Sequence, residues 1–196
     1  MFDLEISVRR GVFHPRLFFS TRILARHLLN LPLAGKEFLE IGPGSGVLSL
    51  LAARQGARVT AVDINREAVS CSQQNAELNG LADSVTVMHG DLFDPVQSGA
   101  QFDYIVWNPP FYPKPALDEA EMAWNAGEDF GVVRRFLRDA LGWLSDGGRI
   151  VVIMPDNSET RSLFYKSAWS LVIAEEEVRY SWFDQFRVIT LTVAAS

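Results

Sequence analysis

The stretch from Lys36 to Gln55 constrains the fold more than any other part of the chain. KEFLEI (36–41) has the short apolar character of a strand, Gly42-Pro43-Gly44-Ser45-Gly46 turns it, and VLSLLAARQ (47–55) continues as a helix. A strand that enters a helix through a glycine turn buries both elements best when the chain returns to a parallel neighbour. The pattern then repeats. RVTAV (58–62) reads as a strand, followed by a helix over roughly 66–79 that stops at Asn79-Gly80. SVTVM (84–88) and FDYIVW (102–107) read as strands, a helix follows over 129–144 to Asp146-Gly147-Gly148, and RIVVIM (149–154) is the next strand. This alternation predicts an α/β domain with a largely parallel sheet.

The flanks extend that core. An amphipathic helix is expected from Ser20 to about Asn30, capped by Ser20 or Thr21, with Ile23, Leu24, Leu28 and Leu31 as its apolar stripe. The last forty residues read as a short helix and two strands, SLVIAEEEVRY and FRVITLTVA. Between strands, residues 109–128 carry four prolines and many acids, which predicts a loop long enough to be functional. With no repeat or linker, the 196 residues read as one domain. Its expected parts are a strand and helix extension over the substrate side (1–35), a cofactor-binding and catalytic core (36–155), and a C-terminal helix with two strands (156–196).

Charge and composition exclude several roles. The net charge of −6 is uneven, with six Arg or Lys against two acids in residues 1–36. An acidic body is a poor duplex-DNA binder, because affinity there comes from neutralised phosphates. The basic start reads as a solvated face, with a local RNA-facing patch as the alternative. No apolar run reaches the ~18–20 residues that span a bilayer. A single cysteine, Cys71, leaves no internal disulfide and reads as a small buried hydrophobe. His14, His27 and His89 lack ligand spacing, so no metal site is expected. Together these features point to a reducing cytoplasm and no membrane.

The glycine turn is a candidate ligand loop. Gly42, Gly44 and Gly46 let a backbone approach a ligand closely, and the helix start offers N–H groups. The dinucleotide fingerprint wants a glycine where Val47 stands, and Glu40 lies outside that fingerprint. Asp63 ends the second strand, where a carboxylate can accept from both ribose hydroxyls of a nucleoside, with Ile64 on the adenine face. Asp91, in His89-Gly90-Asp91-Leu92-Phe93, can accept from an adenine amino group. Glu40, Asp63 and Asp91 thus mark three strand ends at the edge where such sheets bind ligands.

EIGPGSG, AVDIN, GDLF and NPPF together resemble the class I S-adenosylmethionine-dependent methyltransferases, over about residues 36–155. The resemblance implies a Rossmann-like, seven-stranded, mostly parallel sheet with an antiparallel last strand and helices on both faces. It also implies S-adenosylmethionine as cofactor, held by Glu40, Gly42, Gly44, Gly46, Asp63, Ile64, Asp91, Leu92 and Asn108. Asn108-Pro109-Pro110-Phe111 is the candidate catalytic motif. A planar amide or arylamine nitrogen is a poor nucleophile because its lone pair is delocalised. The Asn108 side-chain oxygen and the Pro109 carbonyl can accept both of its hydrogens and favour a pyramidal, nucleophilic nitrogen. Two prolines pre-organise these acceptors, and Phe111 can stack on a flat substrate group.

The stretch Ala123-Trp124-Asn125-Ala126-Gly127-Glu128-Asp129-Phe130-Gly131 resembles the segment that follows NPPY in compact HemK-type enzymes. That likeness implies methylation of a glutamine amide in the Gly-Gly-Gln loop of a translation release factor. NPPF replaces NPPY here, and RNA base-amine methyltransferases also use NPPF. Upstream, His14-Pro15-Arg16 precedes Ser20-Thr21 with extra residues between, a departure from the family's proline motif. Asp118, Glu119, Glu121, Glu128 and Asp129 favour a protein substrate, since carboxylates repel phosphates. The alternatives are an adenine or guanine amine of RNA, a small molecule, or a silent partner-binding relative. Trp107 reads as strand core, and Trp124 as core or substrate wall. In the class I topology the third strand is a sheet edge, so Val85 and Val87 are expected at a contact with a small partner subunit or a second copy.

Overall fold

The computed structural model describes residues 2–15, 19–117, 121–165, 171–180 and 185–193. The sheet has seven strands: β1 (Glu37–Ile41), β2 (Arg58–Asp63), β3 (Val85–His89), β4 (Phe102–Trp107), β5 (Leu144–Pro155), β6 (Leu171–Tyr180) and β7 (Gln185–Val193). Their order is β3-β2-β1-β4-β5-β7-β6. The first five pair in parallel, while β7 runs antiparallel to both β5 and β6. Among the described residues five helices accompany them: α1 (Phe19–Leu28), α2 (Val47–Arg54), α3 (Arg66–Leu78), α4 (Gly131–Asp139) and α5 (Ser158–Tyr165).

Both sheet faces are covered, as a parallel sheet requires. Strand alternation sorts the side chains. Phe38, Val59, Ala61, Tyr104, Val106, Val151 and Ile153 pack toward α1 and α2. Leu39, Ile41, Val62, Ile105, Trp107, Ile150, Val152 and Met154 pack toward α4 and α5. Trp107 and Cys71 are buried as their apolar settings predict.

Five expectations are corrected. Among the described N-terminal residues there is no strand; residues 4–9 lie across α3 instead. There Asn75 and Asn79 act as a substitute ladder. Each side chain accepts from one backbone N–H (Ser7, Glu5) and donates to the same residue's carbonyl, at 2.7–3.0 Å. α1 begins at Phe19, so Ser20 and Thr21 lie in its first turn and do not cap it. The helix expected over 129–144 is shorter: α4 ends at Asp139 and a 3-10 turn runs from Ala140 to Trp143. Asp146-Gly147-Gly148 does not stop a helix but lies in a bulge within β5, where Gly148 sits against the Phe102 carbonyl with no room for a Cβ.

The fifth correction concerns β3. It is a sheet edge, as expected. Yet Val85 and Val87 turn inward, each only 8% exposed within the core, so neither side chain is offered to a partner. Gln73 also donates to the Val87 carbonyl at 3.3 Å. Val87→Lys is therefore expected to destabilise the fold by about 3 kcal/mol or more, because it buries an unpaired ammonium. Thr86→Lys, on the exposed side of the same strand, should change stability by less than about 0.5 kcal/mol in denaturant unfolding.

Candidate active site

A cavity of about 930 Å³ opens at the carboxyl ends of β1, β2 and β4. Its size suits a nucleoside-sized ligand together with an acceptor group. It is lined by Glu40, Gly42, Gly44, Asp63, Ile64, Asp91, Leu92 and Asn108-Pro109-Pro110-Phe111. Of the residues expected to bind the cofactor or act in catalysis, Gly46 alone is absent from the lining. Its role is structural. Gly46 caps α2 at φ 82°, and a Cβ there would meet Ser72 Oγ at 2.9 Å.

The glycine loop is held from two sides. Gly42, Gly44 and Gly46 all have positive φ, which a glycine adopts without strain. Ser72 Oγ donates to the Gly44 carbonyl at 3.1 Å, and Asn75 Nδ2 to the Ser45 carbonyl at 2.9 Å. Asp63 accepts from Gly44 N–H at 3.0 Å and from Asn65 N–H at 2.9 Å. Asn65, not Asp63, caps α3, by accepting from Glu67 N–H. Asp63 is thus an oriented carboxylate at the cavity wall.

Glu40 lies on the inner face of β1, fully buried, and accepts from the Ser49 hydroxyl of α2. Burial pushes its carboxyl up to about 7; hydrogen bonds from Ser49 pull it down, and the nearby Asp63 charge pushes it up again.

Asn108 follows β4 directly. Its Nδ2 donates to Ser20 Oγ at 3.2 Å and to Thr21 Oγ1 at 3.4 Å. Its Oδ1 is buried and has no hydrogen-bond partner. Pro15 also lines the cavity, so the upstream proline and hydroxyl pair do reach the site despite the altered spacing. Phe111 packs near Phe186, with centroids 6.2 Å apart. The loop beyond it is not featureless: Tyr112 and Asn125 form a β-bridge, and Glu121–Ala123 make a 3-10 turn. Glu121 accepts from Leu117 N–H at 3.0 Å, while Glu128 and Asp129 face solvent. Asp118 and Glu119 lie outside the described residues.

Several lining residues escaped the sequence reading. Phe13 packs over Gly44 and against Trp124, with ring centroids 4.9 Å apart, so the N-terminal segment meets the acceptor loop above the cavity. Arg135 of α4 pairs with Asp91 at 2.9 Å. Only the buried, helix-spaced Val133, Phe136 and Leu137 of that helix carry a sequence signal. Among the described residues no cluster of His, Cys, Asp or Glu could hold a metal, and no helix is long and apolar enough to cross a membrane.

The burial of Glu40 generates a pH prediction for the ligand-free protein. Its folded-state pKa of about 7 lies above the ordinary 4.5, so the folded chain retains a proton that the unfolded chain releases. Stability should therefore fall as pH rises from about 4.5 to 7, by roughly 2–4 kcal/mol. Glu40→Gln should flatten that slope in chemical unfolding and leave the variant the more stable form at pH 8.

Comparison with known proteins places this geometry in a family. Residues 3–182 match the methyltransferase small domain. A Methanocaldococcus jannaschii protein assigned as a protein N5-glutamine methyltransferase is 30% identical over 159 residues, covering 76% of this chain and 78% of that one. The ribosomal protein uL3 glutamine methyltransferase of Bradyrhizobium diazoefficiens is 38% identical over 141 residues, 66% of this chain and 44% of that protein. The ribosomal RNA small subunit methyltransferase C of Chromohalobacter salexigens is 34% identical over 154 residues, 76% of this chain and 41% of that protein. The chain thus spans less than half the length of the last two relatives. A methyltransferase structure from Pyrococcus furiosus shares the fold, with TM-score 0.72 and 21% identity, over 97% of this chain and 90% of that one. The chain belongs to the methyltransferase small domain family and is a class I, S-adenosylmethionine-dependent methyltransferase.

Proposed function

We propose that this chain methylates a planar nitrogen, the side-chain amide of a protein glutamine. The observation that carries the reading is the Asn108 side chain. Ser20 and Thr21 anchor its nitrogen, leaving Oδ1 buried, unpartnered and at the cavity wall. A buried acceptor without a partner costs about 1–3 kcal/mol. A substrate N–H relieves that cost, and the Pro109 carbonyl accepts the second hydrogen. The amide nitrogen is then held pyramidal, with its lone pair localised. Pro109 and Pro110 fix the backbone, so the acceptors need no reorganisation as positive charge develops on nitrogen.

S-adenosylmethionine supplies an electrophilic methyl group on its sulfonium. In this reading Asp63 accepts from the ribose hydroxyls, and Ile64 lies on the adenine face. Asp91 accepts from the adenine amino group. Phe111 stacks on the flat acceptor amide.

The glutamine-directed relatives support a protein acceptor, as do Glu121, Glu128 and Asp129 on the loop, which disfavour a phosphate backbone. The test is transfer of a tritiated methyl group from S-adenosylmethionine to a peptide bearing a Gly-Gly-Gln loop, with cellular RNA as the competing acceptor. Label should enter the peptide and be released as methylamine on acid hydrolysis. Label confined to nuclease-sensitive material would establish a base-amine acceptor and overturn the glutamine reading.

A further inference from the structure

Arg135 takes no part in the chemistry above, yet it lines the cavity at the base end of the proposed nucleoside site. It lies on the open side of α4, because Val133, Phe136 and Leu137 form the buried stripe. Its Nη2 donates to Asp91 Oδ2 at 2.9 Å. Both partners are partly exposed, with side chains 45% and 33% accessible, so the pair adds little to stability as a charge pair. Its consequence is orientation.

The backbone at Asp91 is already fixed. A Cβ at Gly90 would come within 2.7 Å of the Pro95 ring, Leu92 sits in the left-handed region at φ 49°, and Gly90 N–H donates to the Asp63 carbonyl at 3.0 Å. The remaining freedom is rotation of the Asp91 side chain. Arg135 removes it by engaging one carboxylate oxygen, which leaves the other with a defined direction.

We infer that Arg135 is a positioning residue for base selection: it orients Asp91 so that the site takes a purine carrying an amino group and rejects one carrying a carbonyl at the same place. The inference rests on the reading that Asp91 meets the adenine amino group. An amino group donates to the held oxygen, whereas the carbonyl of hypoxanthine opposes a carboxylate that cannot turn away. A carboxylate free to rotate loses that discrimination.

The experiment measures calorimetric affinities of S-adenosylhomocysteine and S-inosylhomocysteine for the whole chain and three variants. The wild type should prefer the adenosyl ligand by roughly 30-fold or more, within the range expected when a built polar site is mismatched. Arg135→Ala should narrow that preference at least about fivefold, and Arg135→Lys, which keeps a donor, should retain most of it. Asp91→Asn should abolish most of it. An Arg135→Ala variant that keeps the wild-type preference, even with both affinities reduced equally, overturns the positioning role. An Asp91→Asn variant that keeps the preference, or a wild type without one, overturns the Asp91 assignment itself, and the Arg135 inference with it.

Discussion

The site depends on the register of three parallel strands. Ile41 of β1 pairs with Val62 of β2 on one side and with Trp107 of β4 on the other. The next residue on each strand is therefore Gly42, Asp63 or Asn108. A ligand loop, an oriented carboxylate and the amide of the acceptor motif leave the sheet at one level because hydrogen-bonded ladders set them there. The strand order turns back at β1, with β2 on one side and β4 on the other, so the connections diverge and open a crevice at those ends. A one-residue slip in either ladder would turn the outermost side chains to the opposite face.

A second layer of polar contacts walls one side of that crevice. Asn75 and Asn79 zip the N-terminal segment onto α3, and Asn75 also ties Ser45 of the glycine loop. The bound segment carries Phe13 across Gly44 to Trp124, and farther along it brings Ser20 and Thr21 against Asn108. Each such hydrogen bond contributes only about 1 kcal/mol. Their effect is geometric: they fix which end of the Asn108 amide is anchored on α1.

The sequence made the strands legible because parallel strands buried on both faces are continuous apolar runs, as FDYIVW and RIVVIM are. The strand-end residues were legible through their motifs and spacing. The bulge in β5 was not, because Gly147-Gly148 has the composition of a helix stop and only the shared edge with Phe102 distinguishes the two. A strand was expected in the N-terminal extension, but the backbone of Glu5 and Ser7 proved to pair with two side-chain amides of Asn79 and Asn75. Val85 and Val87 read as an exposed edge because strand composition does not say which face is covered. Ser20 and Thr21 were legible only through the altered proline motif upstream, and Arg135 was not legible as a site residue. Arg135 meets Asp91 44 residues away through a single polar contact, with no periodicity to mark it.

The central claim is that Asn108 acts on the acceptor nitrogen and not on the cofactor. It is tested most directly by measuring S-adenosylhomocysteine affinity and single-turnover methyl transfer for Asn108→Ala, using whichever acceptor the wild-type protein labels. The account predicts affinity within about threefold of wild type and a transfer rate lowered ~100-fold or more, the scale for losing a transition-state hydrogen bond. A transfer rate close to wild type, or a fall in cofactor affinity that matches the fall in rate, would contradict it.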